Sequence, residues 1–291
     1  MIENPRENTM KKVLFATTAL IATAGMAAAD VTIGGYGRFG FVYTDTAGVT
    51  DTNLENRINL DIKATGEAGN LSFGGKIRMR GNGGSVATLN GVQVSMSTGG
   101  LTIYAGNVPG LLDSMANAYN TVGYTGGTFQ AFVGNGAALA YSSQGAGANA
   151  LQANYSMGSF EVALAHGDAA DATQARVTYS GNGLTVSAAV QDGGAVSADV
   201  TAITAAYEMG SMSVNVGWGD ADGVETTQIG LSASLGAATS VNAYVSDRDG
   251  AAETAFGLGL NHDLGGASVG FGYETLFSGD TRAEMGIKFN F

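Results

Sequence analysis

The residues of this sequence best placed to do chemistry are six cations between positions 38 and 80: Arg38, Arg57, Lys63, Lys76, Arg78 and Arg80. The 291 residues include 13 Lys and Arg, of which Arg6, Lys11 and Lys12 precede residue 30, so these six are a majority of the ten that follow. Each sits on the polar phase of a segment in which apolar and polar residues alternate. Alternation with period two puts successive side chains on opposite faces of a strand. Antiparallel neighbours would therefore gather the six on one patch of wall. A single Lys there would be a solvated side chain; six on one phase make a basic wall able to attract and orient anions.

Other chemistry has less support. His166 and His262 fall in different hairpins, so no His pair for a metal or for catalysis is expected. Ser is plentiful, but no Ser/His/acid set is spaced for nucleophilic catalysis, and no catalytic residue or enzymatic activity is expected. Asp220 with Asp222, and Asp247 with Asp249, are the acidic pairs able to take Ca²⁺ on an outer loop; acids that stabilise turns are the simpler reading. No other cofactor is expected. The absence of Cys excludes disulfides and thiolate metal sites. Beyond residue 29 the chain keeps ten basic residues and, without Glu3 and Glu7, 23 of its 25 acids. That net charge of −13 argues against nucleic acid as a partner.

The elements that must position these residues are strands. Residues 1–29 are set apart first: Met10-Lys11-Lys12, a largely apolar Val13 to Met26 and the small Ala27-Ala28-Ala29 have the three parts of a cleaved secretory signal peptide. Residues 1–9 fit no part of that pattern and read as an N-terminal extension. Residues 30–291 form the fold. Beyond the leader no apolar run is long enough for a membrane helix. Alternating segments recur instead, divided by Gly-rich turns, from Asp30–Thr44 to the unbroken Thr281–Phe291. About sixteen strands of ~9–11 residues are predicted, the length of a tilted membrane strand. The turns at 158, 181–183, 210, 236 and 265–266 are tight, and the intervening loops carry most of the acids, the asymmetry of an outer-membrane barrel. Tyr155, Tyr179 and Tyr207 precede tight turns on the apolar phase, as an aromatic girdle requires. Phe289 and Phe291 would join it if the last strand closes the barrel on Asp30–Thr44. A barrel of sixteen strands is too wide to fill with side chains and encloses water. The expectation is therefore an all-β, sixteen-stranded antiparallel transmembrane barrel, with Leu, Val and Phe against lipid and the charges inside.

One connection breaks the rhythm, residues 108–148. It opens on Val108-Pro109-Gly110, could form a helical turn or two over Leu111–Tyr119, and carries one charge, Asp113. Loops this long are usually functional.

Several segments resemble the general diffusion porins of purple non-sulphur bacteria and related α-proteobacteria. They are Ile33-Gly34-Gly35-Tyr36-Gly37-Arg38-Phe39-Gly40, Asn56-Arg57-Ile58-Asn59-Leu60, Gly75-Lys76-Ile77-Arg78-Met79, Leu101 to Val108, Tyr244-Val245-Ser246-Asp247 and the terminal Phe. The resemblance implies an outer-membrane homotrimer that passes small hydrophilic solutes and ions, with the loop after the fifth strand folded inward to narrow the pore. In that family a basic wall faces acids on the loop. Here Arg38, Arg57, Lys63, Lys76, Arg78 and Arg80 would face only Asp113, so a weaker transverse field and an anion preference are expected, opposed by acidic outer loops. The rival reading is a structural or adhesive surface β-protein without a channel; a solenoid of that kind needs a fixed repeat, and none is present.

Overall fold

The computed structural model describes residues 30–125, 129–131, 149–167, 171–194 and 198–291. The expected leader, 1–29, and much of 108–148 lie outside the described residues, as does Asp168 of the acidic loops.

Sixteen antiparallel strands form one closed sheet. The first five are β1 (Asp30–Thr46), β2 (Val49–Ala68), β3 (Leu71–Asn82), β4 (Gln93–Thr98) and β5 (Leu101–Asn107). After the long connection come β6 (Asn149–Met157), β7 (Phe160–Gly167), β8 (Ala172–Gly181), β9 (Leu184–Asp192), β10 (Val200–Met209) and β11 (Met212–Ala221). The circuit ends with β12 (Val224–Ser234), β13 (Thr239–Arg248), β14 (Ala255–Asp263), β15 (Ala267–Thr275) and β16 (Thr281–Asn290). Closure is explicit: Gly40 is registered with Glu55 on β2 and with Gly286 on β16. Among the described residues the barrel sheet has no free edge.

The burial pattern is that of a soluble protein turned inside out. Ile33 is 67 % exposed and Leu258 50 %, whereas Gln174 is fully buried. The apolar phase faces outward all round the barrel, the arrangement expected where lipid replaces water. Each polar phase faces the interior.

Three details differ from the sequence expectation. β1 has 17 residues and β2 has 20, against the ~9–11 predicted, so the first hairpin is taller than expected. Residues 50–53 (Thr-Asp-Thr-Asn) are polar on both phases, which removes the alternation that marks a strand inside the apolar band. β4 and β5 are shorter than a full membrane strand. Thr88–Leu89 continues the pairing on β3, and the break between it and β4 is spanned by bonds from Asn90 N to Arg78 O and from Asn107 N to Val92 O, both 2.8 Å. Finally, the acids Asp220 and Asp247 belong to strands and not to loops, and Asp222-Gly223 is a two-residue turn. Both turn residues have positive φ, 53° and 81°, the type I′ geometry that Asp-Gly favours.

Candidate functional site

The basic residues are assembled by the β2–β3 hairpin. Their inward side chains form four rungs: Arg57 opposite Asn82, Asn59 opposite Arg80, Asp61 opposite Arg78, and Lys63 opposite Lys76. Two residues of strand rise separate successive rungs by about 7 Å, so the ladder climbs roughly 20 Å of wall. Five cations and one acid occupy it. Arg78 grips Asp61 through two bonds, Nε to Oδ1 at 2.5 Å and Nη2 to Oδ2 at 2.7 Å. Lys76 Nζ lies 3.9 Å from the same carboxylate. Arg57 donates to Asn82 Oδ1 at 2.7 Å and also lies 3.9 Å from the Glu55 carboxylate, and Arg80 donates to Asn59 Oδ1 at 3.1 Å. Lys63 is exposed.

Arg38 stands apart from the ladder. It is 5 % exposed and bonded to Glu55 Oε1 through Nη2 at 2.7 Å, while its Nη1 donates to the carbonyl of Thr125. It holds the connection that follows β5. Lys288 of β16 is registered with it, with Nζ 4.8 Å from the Tyr36 ring.

Residues 108–125 of that connection pack against inward residues of the wall. Val108 and Leu111 bury against Ala150, Ala163 and Ala165 of β6 and β7. Leu111 N donates to Gln174 Oε1 at 2.5 Å, and Arg176 Nη1 donates to Leu111 O at 3.0 Å. Leu112, Met115 and Ala118 pack on Ala189, Val200, Ala202 and Ala221 of β9–β11. The expected helical turns are a run of tight turns, closed by Ser114 N to Gly110 O at 2.9 Å and Met115 N to Leu112 O at 3.2 Å. Thr204 then donates to Ala116 O at 2.7 Å, and Gln228 to Asn117 O at 2.7 Å. Val122 packs with Tyr244, Ala255 and Phe277. The continuous described part ends where Thr125 meets Glu284, and Phe129–Ala131 pairs back on Tyr119–Thr121. Small wall residues such as Ala163 and Ala189 leave room for the apolar loop side chains; their spacing along the strands would not by itself reveal that.

Asp113, the one charge of the loop, accepts a bond from Tyr119 Oη at 2.7 Å. Burial, reinforced by that carboxylate, pushes the Tyr119 phenol well above its ordinary range. The acids expected inside also have local partners. Glu161 pairs with Arg176 at 2.8 Å, Glu274 accepts from Tyr244 Oη at 2.7 Å, and Glu284 binds Thr125. Glu208, exposed, lies at the end of β10. Glu55 is an inward acid that the alternation around residue 55 did not single out.

Tyr155, Tyr179 and Tyr207 stand outward beside tight turns, Tyr179 with its ring centroid 5.1 Å from that of Phe160. Phe289 and Phe291 lie 6.2 Å apart at the same end of the barrel. The His residues do not meet: His166 bonds Thr173 and His262 bonds Thr239. Among the described residues no three His, Asp or Glu come close enough to hold a metal ion. The acidic pairs act in turns: Asp220 accepts from Gly223 N at 3.2 Å, Asp222 from Asp199 N at 3.0 Å and Asp249 from Glu225 N at 3.4 Å.

An apolar exterior around a charged interior is a channel wall, and the relationship to known proteins agrees. The family model described as Gram-negative porin matches residues 16–281. The chain belongs to the Gram-negative porin family. A porin of Fuscovulum blasticum is 30 % identical over 292 residues, covering 90 % of this chain and all of the relative. A triple mutant of the Rhodopseudomonas blastica porin superposes with a TM-score of 0.80 at 26 % identity, again over 90 % of this chain and the whole of that one. Another mutant of the same protein gives 0.79 at 26 % identity and equal coverage. This porin is accordingly an outer-membrane diffusion channel of a Gram-negative cell, not an enzyme. Its polar, charged interior is the path for solute.

Proposed function

We propose that this porin passes small hydrophilic solutes and ions through a lumen narrowed by the 108–148 connection, with a preference for anions at the narrowest part. The observation that carries the reading is the imbalance across the lumen. One side bears the β2–β3 ladder, with five cations to one acid. The other side is the loop, whose single charge, Asp113, is tied to Tyr119. A low-dielectric wall of one sign concentrates counter-ions near it. The field across the lumen is weak because the loop offers little negative charge to oppose the ladder.

The working form is a homotrimer, as the porin resemblance implies, with Tyr155, Tyr179, Tyr207, Phe289 and Phe291 at one membrane interface, where aromatic rings are favoured. Residues 1–29 act as extension and export signal, and N-terminal sequencing of the exported protein should begin at Asp30. Planar-bilayer recording of the purified porin tests the channel reading. Conductance steps in groups of three are expected, and a protein that inserts without conducting would refute it.

A further inference from the structure

Residues 122–124 of the loop rest on a floor of glycine. Around the wall from β14 to β1, Gly259 is registered with Gly272, Gly270 with Gly286, and Gly286 with Gly40. All five are buried, while Leu258, Phe271, Met285 and Phe39 beside them face outward and are exposed. None of the five has a positive φ, so the local strand conformation does not call for glycine. At Gly259, Gly270 and Gly272 the loop does. A Cβ on Gly272 would lie 2.7 Å from Gly123 Cα and 2.8 Å from Gly123 N. One on Gly259 would lie 3.1 Å from Val122 Cα, and one on Gly270 2.8 Å from Tyr124 Cβ. On Gly40 and Gly286 it would meet backbone of the paired strand, Met285 O and Phe39 O respectively, as well as the Tyr124 ring at 2.7 and 2.5 Å. Glycine inside a strand marks such close approach of another backbone. Gly123 is constrained in turn: its φ is +76°, and a Cβ there would strike the Glu284 carboxylate.

Glu284 stands directly across from Gly272 and closes the seat. Its Oε1 accepts from Thr125 N at 2.9 Å and its Oε2 from Thr125 Oγ1 at 2.6 Å. Arg282 lies 3.2 Å from the same carboxylate, and Arg38, itself held by Glu55, donates to Thr125 O. Bonds to an ionised acceptor are stronger than neutral ones. Glu284 is 3 % exposed, so a passing ion does not reach it.

We propose that Glu284 is a positioning residue that sets the size of the pore. It clasps Thr125 over the glycine floor and so fixes how far the loop stands from the ladder. The proposal rests on the reading of the loop as the element that narrows the lumen. It separates two tasks: the ladder sets which ions pass, and the clasp sets how large a solute can be.

Size exclusion tests this, because a purely electrostatic role for Glu284 would shift ion preference and leave the size limit alone. Four variants are compared with the parent porin: Glu284→Ala, Thr125→Val, Gly272→Leu, and replacement of 111–125 by a short Gly-Ser linker. Vesicle swelling with graded sugars and polyethylene glycols reads the exclusion limit, and bilayer recording reads the conductance. Gly272→Leu changes no charge, and its Cβ meets Gly123 and Val122 of the loop first, so it reports on the seat if Glu284→Ala does not assemble. The expected result is a shift of the limit to larger polymers, with higher conductance, for Glu284→Ala and Gly272→Leu, approaching the linker variant, and a smaller shift for Thr125→Val. A wider linker variant beside an unchanged Glu284→Ala or Gly272→Leu would overturn the clasp while sparing the narrowing loop. A linker variant with the parent limit would instead overturn the narrowing reading itself.

Discussion

Asp61 and Arg78 face each other across β2 and β3 and share two hydrogen bonds of 2.5 and 2.7 Å. This pair places the ladder's one acid between the Arg80 rung below it in sequence register and the Lys63–Lys76 rung above. Asp61 therefore moderates the positive wall. Asp61→Asn leaves five cations and no carboxylate on the four rungs, and the reversal potential under a salt gradient should move further toward the anion. Arg80→Glu should move it the opposite way. A shift toward the cation for Asp61→Asn would mean that the ladder does not face the conducting path.

Gln174 ties the near end of the loop to the wall through the Leu111 amide. Gln174→Ala leaves that buried N–H without its acceptor, at a cost of about 1–3 kcal/mol. Urea unfolding in lipid vesicles should show the loss, and Gln174→Glu, which keeps an acceptor oxygen, should recover part of it. Unchanged stability in Gln174→Ala would indicate that Leu111 N–H is reached by water.

The outward face should resist charge. Leu258→Arg, near the middle of β14, puts a guanidinium against lipid and should destabilise the barrel by ~2–4 kcal/mol. Asn242→Arg, on the inward phase of the adjacent β13, is the control, since its side chain points away from lipid. Equilibrium folding into vesicles compares the two, and equal penalties would place Leu258 away from lipid.

Tyr124 gives the loop seat an alkaline limit. Burial first, then the nearby carboxylates of Glu55 and Glu284, push its phenol from the ordinary 10.0 up to about 12. The folded state thus holds its proton more tightly than the unfolded one. The associated stability is complete below the unfolded value of 10.0 and is lost as pH rises through about 12. A phenolate absorbance titration should contain a late component near that pH, absent in Tyr124→Phe. A Tyr124→Phe curve identical to the parent curve would show that Tyr124 titrates as an ordinary phenol.

The barrel was legible because lipid outside and water inside impose a strict alternation, seen from Ile33 and Phe39 to Met285 and Phe289. Register was legible only where a turn marks it, as Asn182-Gly183 does. The Ala47-Gly48 turn carries no such mark, so the extra height of the first hairpin and the contact of Arg38 with Glu55 were hidden. Arg38 lies on the polar phase of its strand, and its burial under Thr125 depends on a residue 87 positions away in the chain. The course of the loop was hidden for the same reason. It is written in single glycines and alanines on strands far from residue 108, and each of them reads locally as an ordinary small residue.

The central claim is that the described interior makes an anion-preferring channel. Its most direct test is the reversal potential of the purified porin in a planar bilayer under a KCl gradient at neutral pH. A sign showing greater permeability to chloride than to potassium, reduced when Lys76, Arg78 and Arg80 are all replaced by Gln, is the predicted result. Strong potassium selectivity in the parent porin would contradict the account.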